Sequence, residues 1–226
     1  MPRGRVVEIG SLYMAGTERV NDLRRYFSGI EYVGCDIRKG LGVDQIEDAH
    51  ALTFPADSVG TVLQFEILEH LPDPKQAVSE AYRVLRSDGL LAISVPFNYR
   101  LHGFPSDYWR FTASGLHRLL SQFPEKVVFS LGPRLKPSII FAVAAKSASP
   151  EFTLATARFK TAIYENACQT RWHGHLSVFK ERLRDFAGHL LGRAELGVHF
   201  FDPNASGGYI HGGERKAGTR EQGGAS

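Results

Sequence analysis

Cysteine is scarce in this chain. Cys35 and Cys168 are the only two, far apart and in no metal-ligand spacing, which leaves neither a disulfide framework nor a cysteine zinc site and points to reduced thiols. Long apolar runs are missing too: the longest, LLAISVPF and PSIIFAVAA, fall well short of the roughly 20 residues that cross a bilayer, so no membrane insertion is expected. The opening residues, MPRGRVVEIG, hold no apolar signal core, and the expected location is cytoplasmic. Charge of one sign is also lacking. A net charge of +3 comes from interleaved acids and bases, giving no electrostatic footprint for nucleic acid. Finally, the first loop is short of glycine. VVEIGSLYMAG places Leu12 and Met14 where a Gly-rich loop would put more glycines, and a pyrophosphate demands the later glycines of G-x-G-x-x-G so that backbone can touch it.

What is present suffices for one substantial core, with 43% hydrophobic residues in a chain of 226. Short β-branched stretches at 5–9, 31–35, 43–46, 59–65 and 90–95 read as strands, and 17–27 and 74–86 as helices, the second with Pro74 in its first turn, Gly89 just past its end and Ala77, Ala81, Val84 and Leu85 facing the core. This alternation predicts an α/β fold with a doubly wound, Rossmann-like and mostly parallel sheet. A short helix, ASGLHRLLSQF, precedes strands at 127–131 and 138–146. GPRLKP between them is too short for a crossover helix, so these two are expected to pair antiparallel. Residues 150–191 read as helical, with Phe159, Ile163, Phe179, Leu183, Phe186 and Leu190 as packing positions. The expected division is a domain over 1–147, a helical extension over 148–202 and a flexible Gly-rich tail over 203–226.

Ligands of open parallel sheets bind beyond the carboxyl ends of the strands. Glu8 and Gly10, Asp36, Asp48, and Gln64 to Glu66 all fall there. Each acid alone could be a helix cap or a turn residue; their recurrence at successive strand ends points to a site, with Asp36 placed to accept hydrogen bonds from a ribose diol.

The segments VVEIGS, YVGCDI, DAHALTFPADS and FEILEHLPDPKQAVSEAYRVLRSDGLLAISVP resemble the class I S-adenosylmethionine-dependent methyltransferases, in particular the type 11 group, over about residues 5 to 147. The resemblance implies S-adenosyl-L-methionine as cofactor and a terminal antiparallel strand pair. It implies that Glu8 and Gly10 approach the cofactor's amino-acid end and that Asp36, followed by Ile37, holds the ribose. Asp48 and Ala49 then meet the adenine edge, and Gln64, Phe65 and Glu66 line the pocket beneath the methionine. A donor without phosphate tolerates the glycine-poor first turn, with Gly16 supplying the flexibility that Leu12 and Met14 remove.

Methyl transfer from a sulfonium needs alignment, and a base only where the acceptor must lose a proton. The loop FNYRLHGFPSDYWRFT, residues 97–112, gathers candidates. His102 is the candidate base, Asp107 its orienting group or itself the base, and the aromatics wall an acceptor pocket; alternatively the aromatics cover the sheet edge while Asp107 and Arg110 pair. Glu66, Glu69 and His70, spaced E-x-x-E-H, could take a divalent cation, but LPDPKQ after them offers no further histidine. No metal is therefore assigned. Glu69 is expected to brace its loop and His70 to be hydrogen-bonded beside the pocket. His173 and His175 form an H-x-H pair with no evident third ligand.

The resulting expectation is O-methylation of a small-molecule or carbohydrate-related acceptor, with no nucleic-acid partner. A catalytically silent binding protein on the same fold and a nicotinamide-dependent oxidoreductase are the alternatives.

Overall fold

The computed structural model describes residues 4–133, 135–166, 198–201 and 209–210. Its strands are β1 (Val6–Ile9), β2 (Tyr32–Asp36), β3 (Gln45–Ile46), β4 (Val59–Phe65), β5 (Leu85–Pro96), β6 (Glu125–Leu131), β7 (Ile139–Ala145), β8 (Val198–Phe201) and β9 (Tyr209–Ile210). They form one sheet in the order β3-β2-β1-β4-β5-β7-β6-β8-β9. The first five pair in parallel. As the six-residue gap predicts, β7 runs antiparallel to β6, and it inserts between β6 and β5, antiparallel to both.

Helices are α1 (Glu18–Asn21), α2 (Pro74–Val84), α3 (Ala113–Leu119) and α4 (Pro150–Asn166). Strand side chains alternate between faces, and both faces are covered. Val7, Ile9, Val62 and Ile93 pack with Ala77, Ala81 and Val84 of α2 and Leu116 of α3. Val6, Leu63, Phe129 and Phe141 form the opposite cluster. Burial on both sides is why the parallel strands read as continuous apolar runs rather than as alternation.

The expected core face of α2 is fully buried. Asp73 caps this helix, its carboxylate accepting the Gln76 N–H at 3.0 Å, with Pro74 at the first turn. The helix ends at Val84 rather than 86, because Leu85 turns extended and pairs with Val59. Residues 86–89 then loop out before Leu90 resumes pairing at Thr61. The single helix expected over 17–27 is broken: Asp22 is extended, its carboxylate accepts the Arg24 N–H at 3.0 Å, and a 3-10 turn follows over Arg24–Phe27.

Two differences fall near the carboxyl end of the chain. Val198–Phe201, expected within the helical extension, is a strand on β6. Tyr209–Ile210, expected within the unstructured tail, pairs with it: once β8 offers an open edge, the two β-forming residues of a Gly-rich stretch find a ladder that composition does not reveal. Helix α4 agrees with the helical expectation over its own span, whereas Phe179, Leu183, Phe186, Leu190, Cys168, His173 and His175 lie outside the described residues. Among the described residues, no helix is long and apolar enough to cross a membrane.

Candidate functional site

Parallel pairing puts Cys35, Ile9, Gln64 and Ile93 in one row across the sheet, with Gln45 beside Cys35. The residues one step further, Gly10, Asp36, Ile46, Phe65 and Ser94, therefore share the carboxyl rim. Glu8 lies two residues inside it, between Gly34 and Leu63.

At this rim Glu8 is buried and accepts a short hydrogen bond from the Tyr32 hydroxyl. Burial and the Glu8 charge hold that phenol well above its ordinary range. Gly10 adopts φ +86°, and its N–H and that of Ser11 both donate to the Cys35 carbonyl, at 2.8 and 2.9 Å. A Cβ there would stand 3.0 Å from Ile67 in a backbone conformation that disfavours side chains. Asp36 is buried, with Oδ1 accepting from the Arg38 N–H at 2.9 Å and from Arg38 Nε at 3.3 Å. Ile37 beside it is largely exposed.

Asp48 is half exposed and accepts from the backbone N–H of His50 at 2.9 Å and from its ring at 2.8 Å, and these bonds lower its pKa. Ala49 is buried among core residues. The strand alternation separates Gln64 from Phe65. Gln64 is wholly buried and reaches toward the Ala77 carbonyl of α2 at 3.5 Å, while Phe65 stacks on Phe141 on the other face. Glu66 follows at φ +52°, unusual for a residue with a side chain.

The glycine-poor first turn has a tertiary explanation. Ser11 Oγ donates to the Gly42 carbonyl at 2.9 Å and the Tyr13 N–H to the Leu41 carbonyl at 3.1 Å, so this turn is laced to the loop after β2. Leu12 lies against Gly40, where a Cβ would be 2.3 Å from its Cδ1. Gly42 comes so near β2 that a Cβ on Gly34 would stand 2.1 Å from its carbonyl oxygen. Arg24 and the Gly34 N–H hold Asp44 Oδ2 at 2.5 and 2.7 Å. Gly16 takes φ +85°, and a Cβ there would meet nothing within 4 Å.

The loops after β4 and β5 meet at a second cluster. Glu69 has no exposed surface, and neither of its carboxylate oxygens has a hydrogen-bond partner; burial first, and then the Glu66 charge, raise its pKa to about 9. Its backbone carbonyl does brace the neighbouring loop, accepting from the N–H groups of Tyr108 at 2.8 Å and Trp109 at 3.3 Å. His70 Nδ1 lies 2.6 Å from the Ser106 carbonyl, the hydrogen bond expected of it. Nε2 of His70 and Nε2 of His102 are each 3.7 Å from Glu69 Oε1.

Asp107 chelates Arg110 through both oxygens, at 2.5 and 2.8 Å, and accepts the His102 N–H at 2.8 Å. Arg110 thereby holds the carboxyl well below the usual carboxylate range. That makes Asp107 a poor proton acceptor and a good positioning group. His102 is pushed toward the neutral form by desolvation and by His70. Leu101, Phe104, Tyr108 and Trp109 of the same loop are exposed, while Phe111 is partly buried against the core.

Glu47 was not singled out from the sequence. It is 2% exposed, and its carboxylate takes the Thr53 N–H at 2.8 Å together with short bonds from Thr53 Oγ1 and Gln45 Nε2, which shapes the turn carrying Asp48. A signal was available in the alternation from Gln45 to Glu47, which continues the strand one residue beyond its apolar part.

Residues 15–93 match the family model described as a methyltransferase domain. A probable S-adenosylmethionine-dependent methyltransferase of Mycolicibacterium smegmatis is 31% identical over 96 residues, 40% of this chain and 37% of that protein. A chloroplastic 2-methyl-6-phytyl-1,4-hydroquinone methyltransferase 2 of Oryza sativa subsp. japonica is 36% identical over 64 residues, 27% of this chain and 18% of that one. The chain thus matches little more than a third of the first relative's length. Among solved structures, a methyltransferase of Thermotoga maritima described as a possible histamine N-methyltransferase superposes with a TM-score of 0.50 at 20% identity, covering 65% of this chain and 84% of that one, a likeness of fold. The matched segment runs from before β2 into β5, and over it the chain is similar to S-adenosylmethionine-dependent methyltransferases, with the antiparallel β7 beside β5 in the same sheet.

Proposed function

We propose that this chain transfers a methyl group from S-adenosylmethionine to an oxygen of a small-molecule or carbohydrate-related acceptor. The observation that carries the reading is the common rim on which Gly10 and Asp36 lie side by side, with Glu8 two residues inside and Asp48 on the adjoining turn. Carboxylates there suit a cationic donor with a ribose diol. In the transfer, the acceptor oxygen attacks the sulfonium methyl in line. The new C–O bond forms as the S–CH3 bond breaks, its electron pair passing to sulfur, which leaves as a neutral thioether. The acceptor proton goes to a neutral base, for which His102 Nε2 is the candidate, with Asp107 setting its orientation. The exposed aromatics of the 97–112 loop suit an acceptor with an apolar face.

Titration calorimetry with S-adenosylmethionine and S-adenosylhomocysteine tests the reading. Binding is expected, and Asp36→Ala should weaken it by about 1–3 kcal/mol through lost hydrogen bonds to the ribose. No affinity for either compound in the full chain would favour a catalytically silent relative. A nicotinamide dinucleotide is disfavoured by the antiparallel β7 beside β5.

A further inference from the structure

Glu69 presents an unusual problem of charge. Its carboxylate is wholly buried without a hydrogen-bond partner, and two imidazoles face the same oxygen. The hydrogen bonds of those rings fix which nitrogen faces it. His70 Nδ1 can only donate to the Ser106 carbonyl 2.6 Å away, and His102 Nδ1, 3.3 Å from both the Arg100 carbonyl and Asp107 Oδ2, can only donate to those acceptors. Each neutral ring therefore turns an unprotonated Nε2 toward Glu69. Three sets of lone pairs converge, and either a proton or a metal cation must sit among them.

We propose that Glu69 Oε1, His70 Nε2 and His102 Nε2 form a binding site for a divalent first-row transition cation such as Mn2+, Co2+ or Zn2+. The three ligand groups offer atoms all within 4.8 Å of one another. The two 3.7 Å separations are too long for hydrogen bonds, yet near the spacing of about 3.4 Å between ligands that sit about 2.1 Å from a tetrahedral cation. Two imidazoles and one carboxylate favour such a cation over magnesium or calcium, which prefer oxygen. Outer contacts of the kind that orient metal-bound histidines already exist, a backbone carbonyl for His70 and a carboxylate for His102. Arg110, the nearby cation, is committed to Asp107, and Glu66 adds negative charge beside Glu69. Gly103 at φ +59° lets the loop close over the site, since a Cβ there would stand 2.8 Å from the His70 ring.

Three protein ligands leave coordination positions open for oxygen donors of an acceptor, an extension that rests on the methyltransferase reading. When the cation is bound, His102 serves as its ligand and no longer as the proton acceptor.

The test is titration of tag-free, chelator-treated full-length protein with Co2+, followed by visible absorption and calorimetry, in a His173→Ala/His175→Ala background that removes the H-x-H pair. One saturable Co2+ per chain with ligand-field bands is expected. Glu69→Gln, close to isosteric, and His102→Gln should each weaken binding by at least about tenfold, while His117→Ala on α3 leaves it unchanged, with melting curves confirming that each variant folds. Absence of saturable binding in that background, or unchanged affinity in Glu69→Gln, would overturn the site and leave a proton as the bridging charge. Parallel titration with S-adenosylhomocysteine separates this result from the methyl-transfer reading: Co2+ binding without nucleoside binding upholds the cation site alone, and the converse upholds only the donor site.

Discussion

His70, on the loop after β4, meets His102, on the loop after β5, edge to face with ring centroids 4.7 Å apart. Neither loop creates this meeting alone. Asp107 pins the second loop from within through the His102 N–H and the Arg110 guanidinium, and the Ser106 carbonyl ties it to His70.

The Asp107–Arg110 pair is therefore expected to matter for stability as well as for the site. Asp107→Ala should cost about 1–3 kcal/mol in urea unfolding, since it leaves a guanidinium and a backbone N–H without their acceptor. Because folding lowers this carboxyl's pKa, its contribution is fully present above the unfolded carboxylate value of about 3.9 and is lost as pH falls below that. The destabilisation by Asp107→Ala should shrink in acid. A penalty that grew between pH 5 and about 3 would contradict the assignment.

Gly34 and Gly40 offer a matched pair. Alanine at Gly34 meets a backbone carbonyl 2.1 Å away, whereas alanine at Gly40 meets only the end of the Leu12 side chain. Gly34→Ala should lower stability by about 1–3 kcal/mol and Gly40→Ala by clearly less. Equal losses in thermal unfolding would mean that the loop after β2 does not hold its approach to the strand.

Cys35 is fully buried, and burial raises its thiol to about 12. In a Cys168→Ser background, alkylation near pH 8 should be far slower for the folded protein than after denaturation. Its pKa is raised on folding, so the stabilising contribution of the protonated thiol is complete below about 8.5 and declines as pH climbs toward 12. Rapid labelling of the native chain would refute the burial.

His102→Ala should lower methyl-transfer turnover by about 100-fold or more while leaving affinity for S-adenosylhomocysteine near that of the unaltered chain. A steady-state assay beside calorimetry checks both halves. Retained turnover removes His102 from the chemistry, and lost nucleoside affinity reassigns it to the donor site.

Much of this protein follows from local pattern. The apolar runs at 59–65 and 90–95, Pro74 opening a helix, and a six-residue gap too short for a crossover determine strands, helix and antiparallel ending, because each depends on neighbours in the chain. The acids Glu8 and Asp36 are legible at the strand ends for the same reason. Long-range contact decided the rest. Leu12 and Met14 suggested a deficient turn, yet that turn is held by carbonyls of residues 41 and 42. Gln64 and Phe65, adjacent in sequence, part to opposite faces because side chains alternate along a strand. The histidine missing after His70 comes instead from residue 102, since parallel β4 and β5 end at the same rim and bring their loops together there. Spacing along a chain records neighbours in sequence; which loops share a rim is set by strand order and register, and those exist only once the sheet has formed.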